Sequence, residues 1–338
     1  MAGPYALDDL RHYLGLVKET VPGTGQAPTT FVPYTGDATL DHSPDSDEVY
    51  EGGTGPYLAR KVKTTHKPNG TFTLPVKPTT FAKLIAWFLG ADASVAAGAL
   101  FDHTAKPAQD PVYLSLEMSS AGADLIERVA GTVLSKCTIT SPENNGELTA
   151  SFTYAGRTVA VVTTASPSYE TGLHASTPGA AYRPSDCTYT MDNGVITNVA
   201  GWELAMDWGI DDSIYTSTPF RAAILKLKLT AELKVKILEL DTNRYRAVNY
   251  GASGNTAPVV DFLEGTSVSW QAAYTNGLAT TNLRQLTFAL PQVQWMTAPR
   301  KLVSAGATSF LEVTGAVRKP TADLLTVVSR TADTAAYV

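Results

Sequence analysis

The groups with which this 338-residue chain could do chemistry are five histidines, two cysteines and 32 Asp and Glu residues. His12, His42, His66, His103 and His174 are scattered, and none stands in an HExxH or similar metal-ligand spacing. They read as surface or packing side chains. Cys137 and Cys187 lack the CxxC or CxxH neighbours of a zinc site and read as reduced, structural thiols. There is no G-x-S-x-G elbow, no P-loop and no G-x-G-x-x-G run, and Gly23-Thr24-Gly25 and Gly52-Gly53-Thr54-Gly55 lie outside any strand-to-helix phosphate context. A carboxylate pair for glycoside hydrolysis is defined by its separation in space, and no feature of the sequence nominates one. The expectation is a non-enzyme with no catalytic residue, cofactor or metal.

The densest polar cluster is Asp41, Asp45, Asp47, Glu48 and Glu51, interleaved with Ser43, Pro44 and Ser46. A calcium loop would run D-x-[DN]-x-[DN]-G, and here Val49 and Tyr50 follow instead. A solvated loop and a partner-binding loop remain, and the second is favoured. A long excursion from Asp37 to Leu58, rich in glycine and acid and carrying Tyr50 and Tyr57, is costly to leave loose unless assembly orders it. Trp87, Trp202, Trp208, Trp270 and Trp295 could line a sugar platform, which makes a β-sandwich carbohydrate-binding or adhesion protein the alternative. Most of them fall in apolar or alternating segments where burial is expected.

The elements that would position these groups are mostly strands. Charged residues form 17% of the chain, below the roughly 25% of an average soluble domain. A formal net charge of -6 argues against a dedicated phosphate binder. No apolar stretch reaches the ~20 uninterrupted residues of a membrane span. The start of the chain does not read as a secretory signal, so the product is expected in the cytosol where it is made. Short alternating runs between Gly, Pro, Asn and Asp turns give an antiparallel pattern. The clearest exception follows Pro78, where Thr79 is a candidate cap and Phe81, Leu84, Ile85 and Phe88 recur with helical spacing up to Gly90. Phe72, Leu74 and Val76 alternate just before it. The unit recurs: Phe72 and Leu233, Leu74 and Val235, Val76 and Ile237, and Gly90 and Gly251 each stand 161 positions apart, with Asp241 as a cap and Tyr245 and Val248 in a second short helix. This suggests a duplication, with domains at 1–165 and 187–338 and a Thr/Ser/Pro/Gly-rich linker at 166–186. From Leu225 to Ile237 the apolar residues share one parity and Lys226 to Lys236 the other, as either a two-strand hairpin or one extended strand.

The segment Tyr13-Leu14-Gly15-Leu16-Val17-Lys18-Glu19-Thr20-Val21-Pro22-Gly23-Thr24 resembles the opening of major tail tube proteins of long, flexible-tailed (siphovirus-like) bacteriophages, where a short strand ends in a Glu-Thr pair and a glycine. The similarity continues through the acidic segment, the strand and helix ending at Gly90, Pro111 to Met118, and Leu324 to Ser329. It implies a mainly β fold of two tandem β-sandwich or barrel tail-tube domains, each with a short flanking helix. It also implies a virion protein, made in the host cytoplasm, that assembles with itself into rings. Three two-domain chains would make a pseudo-hexameric ring, and stacked rings a conduit for double-stranded DNA that binds it without specificity. Tape measure and terminator proteins are the further partners. Asp45, Asp47, Glu48, Tyr50, Glu51 and Tyr57 would reach an adjacent subunit or ring. The first residues, the acidic segment and the C-terminal residues are expected to order only on assembly.

Overall fold

The computed structural model describes residues 13–49, 60–120, 125–163, 180–192, 194–238, 243–250, 256–257, 267–276, 284–298, 310–318 and 323–338. The fold is mainly β, with large antiparallel sheets and few helices. In the first half the elements are β1 (Tyr13–Lys18), β2 (Thr30–Val32), β3 (Pro44–Val49), β4 (Arg60–His66), β5 (Asn69–Pro75), α1 (Pro78–Leu89), β6 (Gly90–Ala97), β7 (Leu100–Pro107), β8 (Leu114–Ser120), β9 (Leu125–Ser141), β10 (Thr149–Ala155) and β11 (Thr158–Val161). A 3-10 turn (Pro184–Asp186) leads into β12 (Cys187–Met191), β13 (Gly194–Ile196), β14 (Val199–Tyr215), β15 (Arg221–Leu238), α2 (Asn243–Tyr250), β16 (Ser267–Asn276), β17 (Arg284–Thr297), β18 (Phe310–Val317) and β19 (Thr326–Thr331).

The pairings of the second half repeat those of the first. β1 pairs with β2 and β8, as β12 does with β13 and β16. β9 pairs with β8, β10 and β11, as β17 does with β16, β18 and β19. β5 closes on β10, as β15 does on β18. In both halves a helix follows the closing strand. Two further pairings join the halves. Ser141 to Lys136 of β9 align with Trp202 to Asp207 of β14, and β7 aligns with β19. Six strands thus run as one sheet in the order β5, β10, β9, β14, β15, β18. The described end of the expected linker is packed between strands, with Tyr182 fully buried and its backbone bonded to Val76 and Leu148.

The apolar face of this sheet carries α1. Proline stands at the first helical position, where its missing N–H costs nothing, and Lys77 is the N-cap with no side-chain cap bond, so Thr79 does not cap. Gly90 closes the helix in the left-handed region (φ 103°). The helix is buried on nearly every side because it packs on both halves at once: Phe88 meets Phe152 of β10 and Phe81 meets Phe288 of β17. Tyr245 and Val248 of α2 pack against the same core, while Asp241 and Gly251 lie outside the described residues.

Three buried polar constellations fix the turns. Glu19, buried at the end of β1, accepts from the Gly23 N–H (2.6 Å), the Ser115 hydroxyl (2.8 Å) and the Gly131 N–H (2.8 Å). The Glu-Thr signature is therefore structural, since one carboxylate ties the β1–β2 turn to β8 and to the kink in β9. Arg221, buried at the start of β15, donates to the carbonyls of Pro68 and Gly156. His103 on β7 lies between the Asp92 carboxylate (3.1 Å) and the Asp333 carbonyl (2.9 Å) and stacks on Tyr337 at 4.1 Å. Tyr337 in turn donates its N–H to Asp92, and its carbonyl accepts from Trp87. The C-terminal residues thus have partners within a single chain, contrary to the expectation that they order only on assembly.

Removing the Glu19 acceptor would strand buried backbone N–H groups. Glu19→Ala is expected to cost roughly 2–4 kcal/mol, read from the urea midpoint. His103→Phe, which takes the ring-nitrogen partner away from the buried Asp92 carboxylate, is expected to cost about 1–3 kcal/mol and to free Tyr337, read from tryptophan fluorescence and the thermal midpoint.

Candidate assembly surfaces

The acidic segment is not a loop. Pro44–Val49 forms β3, paired with β4 in a two-stranded arm that stands apart from the main sheet. Its carboxylates are exposed and find cations across the hairpin: Glu48 faces Lys61 at 2.9 Å, and Asp45 meets Lys67 at 2.7 Å and the Thr65 hydroxyl. The bonds from Lys67 and Thr65 hold the Asp45 carboxyl below its ordinary value. Cross-strand charge pairs of this kind stabilise a hairpin that lacks a core. Asp47 is exposed on the same strand, while Tyr50, Glu51 and Tyr57 lie outside the described residues. In the second half the corresponding arm is the distal part of β14 and β15, which reaches back to the first: the His66 N–H bonds the Pro219 carbonyl and its ring packs at a tilt against Phe220, 5.3 Å between ring centres.

The lysine row divides. β15 is one strand of 18 residues paired with β14 along its length, so the extended alternative holds. The register shifts between Trp208 and Ile210, where β15 carries one extra residue. Such a bulge inverts the side-chain alternation. Leu225 and Leu227 are consequently exposed and Lys226 is buried, opposite to the single parity read from the sequence. The Lys226 Nζ donates to the Phe88 carbonyl (2.7 Å) and lies 4.9 Å from the Trp208 ring centre, and the Trp208 indole N–H donates to the same carbonyl. Second-half side chains thus cap the C-terminal end of the first-half helix. Burial lowers the Lys226 pKa to about 7.

Beyond the bulge Lys234 and Lys236 face outward and are paired within the chain. Lys234 pairs with Glu203 (3.1 Å), Lys236 with Glu143 (2.8 Å), and Lys136 with Asp207 across the junction of the halves (2.8 Å). Glu143, Glu203, Lys234, Lys236 and Glu312 edge a shallow cleft of about 350 Å³. Hydroxyl side chains fill the rest of this face, among them Thr73 and Ser151, which bond each other. No group of three His, Cys, Asp or Glu among the described residues could hold a metal ion, and His12 and His174 lie outside them. Cys137 and Cys187 are free thiols, and burial pushes Cys187 up to about 12. All five tryptophans are buried, none more than 9% exposed, so they do not line a sugar platform. No helix among the described residues is long and apolar enough to cross a membrane.

The described residues thus combine large antiparallel sheets, a charged two-stranded arm and a polar face with ion pairs closed within the chain. A family model described as "Phage tail tube protein" matches residues 10–315, and the chain belongs to that family. It is a structural protein of the virion tail. No curated protein matches the chain.

Because the folded state disfavours protonated Lys226, its contribution to stability is least below about pH 7 and rises towards the free-lysine value of 10.5. The slope approaches about 1.4 kcal/mol per pH unit. Lys226→Met is expected to flatten this rise and to be more stable than the parent at pH 7, measured by denaturant unfolding across pH 6 to 10.

Proposed function

We propose that the chain is a two-domain tube subunit of a long, flexible-tailed phage. Residues 1–165 and 187–338 serve as tandem tube domains joined by 166–186. Three copies close a ring with pseudo-sixfold symmetry, and stacked rings form the conduit through which double-stranded DNA enters the host. The observation that carries this reading is the repeated strand pairing together with the β9–β14 junction, in which one half already augments the sheet of the other. A sheet edge that accepts a neighbour within the chain is the device by which a ring removes every edge.

The polar face opposite α1 is the lumen in this reading. Its lysines are held by Glu143, Glu203 and Asp207, so phosphates passing along it meet hydroxyls and neutral pairs. DNA then moves without the accumulated Lys–phosphate contacts that would hold it in a salt-dependent grip. The acidic arm, with Asp45, Asp47, Glu48, Tyr50, Glu51 and Tyr57, contacts an adjacent subunit or ring. Tape measure and terminator proteins occupy the interior and the end of the tube, and assembly begins from subunits in the host cytoplasm.

Negative-stain electron microscopy of the concentrated protein is expected to reveal hollow tubes or stacked rings, with a ring mass of three chains. Six chains per ring would overturn the two-domain arrangement, and persistent monomers the ring reading. Tubes of the Glu143→Gln, Glu203→Gln variant, whose Lys234 and Lys236 are released, are expected to retain DNA at low salt and release it at about 0.2–0.3 M salt. Parent tubes should retain none.

A further inference from the structure

We infer that Asp92 and His103 form a proton-loaded latch: the pair holds one proton more with residues 332–338 seated beside α1 than with that segment lifted, so that rising pH releases it. Hydrogen-bond chemistry fixes the proton count. The side chains of His103 and Asp92 are enclosed, 2% and 0% exposed, and each nitrogen of the ring faces an oxygen. Nδ1 meets the Asp92 carboxylate at 3.1 Å, and Nε2 meets the Asp333 backbone carbonyl at 2.9 Å. Carbonyl and ionised carboxylate oxygens only accept, so both ring nitrogens must donate. A neutral imidazole has a single N–H and would here turn a lone pair on an acceptor. The same Asp92 oxygen also accepts the Tyr337 N–H at 2.8 Å, and two donors at one oxygen favour the ionised carboxylate. The closed latch is therefore an imidazolium held against a carboxylate.

What the pair holds is the segment itself. The Asp333 carbonyl rests on His103, the Asp333 carboxylate reaches Lys83 of α1 at 3.2 Å, and the Tyr337 ring lies flat on the imidazole. The Ser94 hydroxyl and the Trp87 indole N–H donate to the carbonyls of Thr334 and Tyr337. An imidazole that gives up a proton gives up one of its two bonds, and both bonds bear on this segment. Lifting the segment opens the ring to water, where an imidazole ordinarily loses its proton near pH ~6.5. Above that pH, closing the latch takes up a proton, and alkaline conditions favour the open form. The groups that face the pair are Lys83, the only charged residue of α1, Asp333 and Tyr337 of the segment, and Asp102 of β7 bonded to Arg330 of β19. Ser329, opposite His103 on β19, carries no charge. Burial raises the Tyr337 hydroxyl above its ordinary value, so it keeps its proton while the latch opens.

The test uses the full chain carrying nitrogen-15 histidine. NMR signals of His103, identified by their contact with the Tyr337 ring, are expected to report a proton on both ring nitrogens at pH 8, where a free imidazole is neutral. Hydrogen exchange is expected to show the protection of the Tyr337 amide falling by about tenfold between pH 7 and pH 8, after correction for the intrinsic rate. Amides of β9 should keep theirs. In His103→Gln the Tyr337 amide is expected to be less protected and equally so at both values. A bare ring nitrogen at pH 8, or Tyr337 protection in the parent that does not change with pH, would overturn the latch. Both of these readings come from the parent chain, so they decide the matter even if the variant fails to fold.

Discussion

Six aligned residue pairs between β9 and β14 hold this molecule together as one body. Their inward members, Cys137, Ile139, Leu204 and Met206 among them, belong to a single buried cluster that reaches from Leu14 to Val327. Their outward members close the polar face. Without this alignment each half would present a long open edge beside an apolar surface, the arrangement most prone to pairing with the wrong partner. The long strands follow from the same constraint. β9 must leave one sheet and enter another, and it does so at a kink where Gly131 adopts a left-handed φ of 66° and gives its N–H to Glu19.

The buried ionisable groups divide by what they tie together. Glu19 and Arg221 hold turns through backbone groups. His103 and Asp92 fasten the C-terminal residues. Lys226 spans the two halves and caps the end of α1. A buried ion is a poor stabiliser when compared with an apolar isostere, and its retention fits a role in fixing one arrangement over its competitors.

Much of the architecture was legible in the sequence. The spacing of Phe81, Leu84, Ile85 and Phe88 marked α1, Gly90 marked its end, and strand alternation marked most of the sheet. What escaped has physical causes. Pro78 needs no side-chain cap, so Thr79 was free for the core. A one-residue bulge opposite Trp208 inverted the faces of Leu225, Lys226 and Leu227, and a bulge leaves no trace in hydropathy. The acidic segment reads as loop because its strand lacks apolar alternation. Its pairing rests on Lys61, Thr65 and Lys67, which lie far enough along the chain to hide the hairpin. Glu19 was visible only as part of a family signature, because two of its three donors, Ser115 and Gly131, lie 96 and 112 residues further along the chain.

The length of β15 has a mechanical consequence. Eighteen residues of extended chain span about 60 Å, from the tip of the distal arm to the strand before α2. Force applied at that tip would load the backbone first through Arg221, tied to the carbonyls of Pro68 and Gly156, and then through Lys226, tied to Phe88. All three acceptors belong to the first half. Tension on the arm is thus shared with the opposite half before it reaches the β9–β14 seam, and the paired strands behave as a stiff lever with its fulcrum at the end of α1.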